Sequence, residues 1–155
     1  MHMNRRYVIA DQNSYDDLCT RLVDAMQSLQ SGLIVGLNGD LGVGKTYLVR
    51  SLLRRLGYES EVKSPTFTLM EQYIINGHVV WHLDCYRLHD VDDLAMIGFD
   101  DLGDDAYVFI EWAEQVNGLS VLDVTIDISD NPERSMSMKA HNAKGESFLE
   151  KIVAR

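Results

Sequence analysis

An α/β fold, with parallel core strands, added antiparallel strands and helices on both faces, is predicted by three observations. Apolar runs of strand length alternate with helically spaced apolar residues through the first half of the chain. A glycine-rich segment, residues 39–46, sits between one such strand and one such helix. Asn76-Gly77 joins two further strand-like runs, and that dipeptide suits the two-residue turn of an antiparallel hairpin.

The elements follow in order. Residues 7–10 (YVIA) read as the first strand. Ser14 is the expected cap of a helix over residues 15–29, where Leu18, Leu22, Val23, Met26 and Leu29 share a face, and Gly32 ends that segment. Residues 33–38 (LIVGLN) form a short apolar run, the pattern of a buried strand. Residues 47–56 return to helical spacing, with Gly57 as the stop. Residues 62–66 (VKSPT) are a non-helical link, and residues 67–75 and 78–83 are the two strands of the hairpin. Residues 91–97 and 100–102 read as short helical pieces, and residues 107–110 (YVFI) as a buried strand. Residues 121–128 and 136–140 are late strands, and residues 148–153 close the chain as a short amphipathic helix.

With 155 residues, no repeat and no linker, one domain over residues 1–155 is expected. A hydrophobic content of 46% and a charged content of 25% are ordinary for a globular protein. No apolar run approaches the roughly 20 residues that a membrane helix needs. The start, MHMNRR, has no apolar core behind it and does not read as a secretory signal. Cys19 and Cys85 lack metal-ligand spacing and read as reduced core thiols, so a cytoplasmic location is expected. The net charge of −10 weighs against extended nucleic-acid binding by this chain, which rests on phosphate neutralisation by Lys and Arg. Arg50, Arg54 and Arg55 form a local basic group. The acids in residues 90–93 and 100–105 read as solvated helix ends and loops.

The segment Gly39-Asp40-Leu41-Gly42-Val43-Gly44-Lys45-Thr46 matches G-x-x-x-x-G-K-[ST], the P-loop pattern. Its glycines let the backbone curl until successive N–H groups point at phosphate oxygens. The loop runs into a helix N-terminus, where unpaired N–H groups and the helix dipole favour anions. Lys45 has the reach for β- and γ-phosphates, and Thr46 offers a hydroxyl to Mg²⁺. Tyr47 completes the segment expected to bind nucleotide. The predicted sheet is therefore of the P-loop NTPase type.

Phosphate transfer also needs a carboxylate for Mg²⁺ and a group to orient the nucleophile. Open α/β sheets bind ligands at strand C-termini. Asp84 and Glu111 each follow an apolar strand, which makes them the candidates. Asp84, the shorter, suits a metal beside Thr46. Glu111 suits positioning or deprotonating water. Thr66, on the link, is a weaker candidate for the metal shell, as a switch loop would use it. Trp112 and His82 read as packing residues, and Arg87 as a phosphate contact or a partner of nearby acids.

Four segments together resemble the TsaE (YjeE) family, P-loop ATPases of tRNA threonylcarbamoyladenosine biosynthesis. They are residues 39–46, Ser64-Pro65-Thr66-Phe67-Thr68-Leu69, His82-Leu83-Asp84-Cys85-Tyr86-Arg87-Leu88 and Ile110-Glu111-Trp112-Ala113-Glu114. The resemblance implies binding and slow hydrolysis of ATP to ADP with Mg²⁺. It implies partners TsaB and TsaD, the second of which transfers threonylcarbamoyl to tRNA adenosine 37, with tRNA met only through that complex. It implies that Lys45, Asp84 and Glu111 act in catalysis and that Thr46, Thr66, Asp84 and Glu111 serve the metal. Arg134 matches a late family arginine near the nucleotide. Tyr47 and Ala113 stand where the family usually has Thr and Pro, and Cys85 occupies a variable apolar position. Two other readings stay open: a small-molecule P-loop kinase, although no Arg-rich lid is visible between Arg87 and Arg134, and a non-catalytic nucleotide switch.

Overall fold

A computed structural model of the protein describes residues 3–152. Its strands are β1 (Asn4–Val8), β2 (Leu33–Asn38), β3 (Met70–Ile75), β4 (His78–Asp84), β5 (Tyr107–Glu111), β6 (Val124–Ser129) and β7 (Ser135–Ala140). Its α-helices are α1 (Gln12–Ser28), α2 (Lys45–Leu56), α3 (Val91–Met96) and α4 (Ala143–Glu150). The seven strands form one sheet in the order β1-β7-β6-β2-β5-β4-β3. β2 lies between β6 and β5 and is parallel to both, and β4 is parallel to β5. β3, β7 and β1 are antiparallel to their neighbours. The expected mixed sheet, with a parallel centre and antiparallel additions, is what the chain forms.

Side chains alternate across the sheet and divide the core in two. Leu33, Val35 and Leu37 of β2 and Tyr107 and Phe109 of β5 pack with α1, α2 and the Phe148, Leu149 and Ile152 of the C-terminal segment. Val108 and Ile110 of β5 face the other way, into a smaller cluster with Leu83, Leu94 of α3 and Val116.

Several boundaries differ from the sequence expectation for local reasons. Asp11, not Ser14, caps α1: its carboxylate accepts the Ser14 N–H at 2.8 Å and the Ser14 hydroxyl at 2.7 Å. A charged acceptor is favoured at a helix N-terminus, and Ser14 becomes its donor inside the first turn. β1 spans Asn4–Val8 instead of residues 7–10, because its pairing with β7 runs from Asn4↔Lys139 to Val8↔Ser135. β3 starts at Met70, not at 67. Residues 65–68 form a turn in which the Leu69 N–H donates to Pro65 O at 2.8 Å, with Leu69 at φ 68°. α2 begins at Lys45, two residues before the expected start, and Gly57 closes it at φ 110°. The hairpin turn holds as expected, with Asn76 at φ 51° and Gly77 at φ 84°.

The last helix departs most. α4 begins at Ala143 instead of 148, because Asn142 caps it by accepting the Gly145 N–H at 2.9 Å. Val153 of the expected helix lies outside the described residues. β6 begins at Val124 instead of 121, and the buried Asp123 before it ties α4 to the sheet. Its carboxylate accepts the Ile34 N–H at 2.8 Å and the Asn142 side-chain amide at 2.8 Å. No helix among the described residues is long and apolar enough to cross a membrane.

Gly145 lies so close to this tie that a Cβ on it would meet Asp123 O at 2.0 Å. Alanine normally stabilises a helix interior by about 1 kcal/mol over glycine. Here the sign reverses: Gly145→Ala is expected to destabilise the fold by about 2 kcal/mol, read as a lower midpoint in thermal unfolding.

Candidate functional site

The parallel strands β2, β4 and β5 deliver their C-terminal ends to one edge of the sheet, and the glycine loop leaves β2 there. Gly39 and Gly44 of that loop both hold backbone conformations that L side chains rarely adopt. Gly39 sits at φ 145°, and a Cβ on it would lie 2.6 Å from Ile128 O and 2.7 Å from the Val43 side chain. Gly44, the cap of α2, sits at φ 112°, and its Cβ would lie 2.9 Å from Arg134 Nη2. The backbone of the loop is thus wedged between β6 and Arg134 before it enters the helix.

Lys45, the first residue of α2, is only 5% exposed. Its ammonium donates to Gly39 O and, at 3.3 Å, to Asp40 O, and it stands 3.5 Å from the centre of the Trp112 ring. Burial pushes the Lys45 ammonium below its ordinary range, and the charges of Glu114, Glu111, Asp84 and Asp40 oppose that shift. Thr46, one residue on, donates its hydroxyl to Glu111 Oε2 at 2.7 Å.

Glu111 and Asp84 are direct neighbours across the β4–β5 register, so both carboxylates emerge on the α2 face. Both are buried. Asp84 accepts the Tyr86 N–H at 3.0 Å. Glu111 Oε2 takes a second donor, the Nε2–H of His82, two residues before Asp84 on β4. A cleft of about 220 Å³ is lined by Leu41, Gly42, Gly44, Lys45, Thr46, Tyr47, Thr66, Asp84, Glu111 and Trp112. Residues from four separate sequence segments therefore meet in one depression.

Thr66 stands at its lip, its hydroxyl 2.7 Å from that of Ser64, and the Arg87 guanidinium donates to the Thr66 carbonyl. In this structure Arg87 thus tethers the link to the segment after β4 through a backbone carbonyl. Arg134 lies behind the loop, 2.7 Å from Asp130 and 3.1 Å from Val43 O. Together with Tyr47 it borders a second cleft, of about 400 Å³, completed by Ile9, Ala10, Asp11, Gln12 and Tyr15. The Tyr15 and Tyr47 rings are 5.2 Å apart within it. Asp40 and Val43 belong to the loop's outer side, where residues 39–43 face Ile128 to Asn131.

Three contributions escape the sequence reading. Trp112 is more than packing: it takes φ 61° immediately after β5, donates its N–H to Leu37 O at 3.0 Å, and lays its ring beneath Lys45 and beside Tyr86. Glu114 contributes negative charge at Lys45, while partial desolvation pushes its own carboxyl up. His82 is fully buried, as a core histidine would be, yet it faces Glu111. Strand alternation carried that last signal, because His82 and Asp84 share a face.

Strand, glycine loop and helix, at the parallel centre of a mixed sheet with two carboxylates at adjoining strand ends, define a P-loop-like α/β protein. A family model described as threonylcarbamoyl adenosine biosynthesis protein TsaE matches residues 9–138. The chain belongs to the TsaE family, whose role lies in tRNA threonylcarbamoyladenosine biosynthesis. The relative from Haemophilus influenzae, a tRNA threonylcarbamoyladenosine biosynthesis protein TsaE, is 38% identical over 124 residues, 77% of this chain and 78% of its own. That from Rickettsia typhi is 33% identical over 120 residues, 75% of this chain and 83% of its own. The crystal structure of Bacillus subtilis YdiB superposes with a TM-score of 0.70 at 22% identity, covering 98% of this chain and 95% of that one, which shows the shared fold.

Cys85 lies between Asp84 and Tyr86 but points into the opposite, smaller core. Burial, and next the Asp84 charge, push its thiol up to about 12; burial pushes the Cys19 thiol up to about 11. Both side chains are fully buried. Neither thiol is expected to react with a disulfide reagent at pH 8 in the native chain, and both should titrate in guanidinium. Rapid native labelling of Cys85 would contradict this account of the strand end.

Proposed function

We propose that the chain binds ATP with Mg²⁺ and hydrolyses it slowly to ADP, and that this cycle serves a TsaB–TsaD complex acting on tRNA. The observation that carries the reading is the convergence of Lys45, Thr46, Asp84 and Glu111 on one cleft at the mouth of a glycine loop. The hydroxyl and two carboxylates are hard oxygen donors, too few for an all-protein cage, which suits Mg²⁺ completed by phosphate and water. Thr46, Glu111 and Asp84 would hold it, with Thr66 as a further oxygen at the lip. Bound there, Mg²⁺ would neutralise charge on the β- and γ-phosphates.

The chain's own groups divide the remaining work. Backbone N–H groups of the loop donate to phosphate oxygens, aided by the N-terminus of α2. Lys45 exchanges two backbone carbonyls for phosphate oxygens. Because one set of hydrogen bonds replaces another, the exchange costs less than desolvating a free ammonium. Glu111 accepts a proton from water. The larger cleft beside Tyr47 and Arg134 has room for a nucleoside. A kinase would need an acceptor site and a basic lid, but no Lys or Arg occurs from residue 88 to residue 133.

Lys45→Ala is expected to weaken binding of a fluorescent ATP analogue by about a hundredfold, the upper range for a hydrogen bond to a charged group. Asp84→Asn should weaken Mg²⁺-dependent binding. Glu111→Gln should keep nucleotide bound and slow phosphate release at least about tenfold, since an amide accepts no proton. Normal turnover in Lys45→Ala would remove the basis of the reading. Normal binding without phosphate release in the wild-type chain would leave a nucleotide switch.

The net charge of −10 leaves little basic surface for tRNA, which supports action through partners. A nucleotide that draws on Thr66 and the segment after Glu111 would change the surface those residues present. The chain is expected to bind TsaB–TsaD with different affinity in ATP and in ADP, measured by pull-down or calorimetry. Tight, salt-sensitive tRNA binding by the isolated chain would point instead to a direct tRNA enzyme.

A further inference from the structure

We infer that His82 is a positioning residue for Glu111, a donor within the sheet that holds this carboxylate alongside the Thr46 hydroxyl when nucleotide and metal occupy the cleft. The inference rests on the reading of the cleft as an ATP·Mg²⁺ site. Glu111 Oε2 holds two donors, the Thr46 hydroxyl and the His82 Nε2–H, whereas Oε1 takes no hydrogen bond among the described residues. A Thr46 hydroxyl that gave a lone pair to a metal would keep its proton for Glu111 but would have to satisfy both from one position, whereas His82 serves Glu111 alone. A buried carboxylate that loses a donor pays its desolvation. With His82 in place Oε2 keeps a partner however Thr46 is engaged.

A packing role alone fits the observations poorly. His82 is fully buried, yet its second ring nitrogen, Nδ1, is buried with no hydrogen-bond partner among the described residues. That unmade bond is a cost that an apolar side chain of similar size would avoid. Among the described residues the ring's one polar contact is Glu111. Its neighbours on the same face, Val80 before it and Asp84 after it, show that the strand can take either an apolar or a polar residue here. Local disadvantages of this kind concentrate at functional sites.

The test compares three substitutions. Glutamine puts an N–H the same number of bonds from Cβ as His82 Nε2. Asparagine is one bond shorter, and leucine has no donor. For each variant, and for the wild-type chain, the dissociation constant of a fluorescent ATP analogue is measured in Mg²⁺ and in EDTA, with circular dichroism as the check on folding. His82→Gln is expected to keep the Mg²⁺-dependent gain in affinity within about twofold of wild type. His82→Leu and His82→Asn should each lose about tenfold of that gain while binding in EDTA changes little. If His82→Leu fails to fold, the Asn and Gln pair decides. Retention of the gain in Asn or Leu, or its loss in Gln, overturns the positioning role and leaves the site reading intact. A wild-type chain with no Mg²⁺-dependent binding overturns both.

Discussion

The register between β4 and β5 is the constraint on which the site depends. Side chains alternate along a strand, so a slip of one residue would turn His82 and Asp84 to the face now occupied by Leu83. The register is fixed from both sides. Leu83 and Ile110 are paired and fully buried in the smaller cluster, while Val80 and Phe109 are committed to the larger one. Apolar burial on two faces therefore sets which carboxylates meet, and α2 arrives over them because its start is fixed by the loop from β2. Packing positions the polar groups, and they in turn link β4, β5 and α2 through a single oxygen of Glu111.

Much of this was legible in the sequence because it is written in short-range patterns. The glycine loop, the strand before it and the helix after it are contiguous, and their chemistry depends on neighbours in the chain. The hairpin at Asn76-Gly77 is equally local. Boundaries failed where two nearby residues could do the same job: Asp11 and Ser14 both accept hydrogen bonds, and only the folded backbone decides between them. The start of α4 was missed because residues 143–147 carry little apolar signal, and its cap at Asn142 is held by Asp123, which precedes β6. Sheet order was not legible at all, since β1 pairs with β7 across most of the chain's length. The same reason hid His82. Its burial followed from the strand pattern, but its partner belongs to a strand 29 residues away.

The arrangement around Lys45 shows how such a loop is held before any ligand reaches it. An ammonium in a tight backbone curl is costly unless its donors are used. Two carbonyls of the loop and the face of Trp112 satisfy it, and surrounding carboxylates oppose the loss of its proton. Trp112 reaches that position only through an uncommon backbone conformation, stabilised by its N–H bond to Leu37 O. The turn after β5 is thus an integral part of the loop's support, although it follows the loop by more than sixty residues in sequence.

Among the described residues the sheet has seven strands, and its two borders differ in kind. β1 and β3 each pair on one side, leaving backbone donors and acceptors on the other. Open borders of this type recruit further strands from other molecules unless something discourages them. β1 is only five residues long and carries Arg5 and Arg6, both exposed, with Arg6 bridged to Glu133. β3 begins after a sharply turned segment and carries Glu71 and Gln72. Short length and cations guard one border, and a carboxylate with an abrupt approach guards the other. A strand from a second copy would therefore meet arginines at β1 and an acid at β3. Arg6 already has Glu133 as its partner, so Arg5 and Glu71 are the opposite charges that a β1-to-β3 contact would bring together.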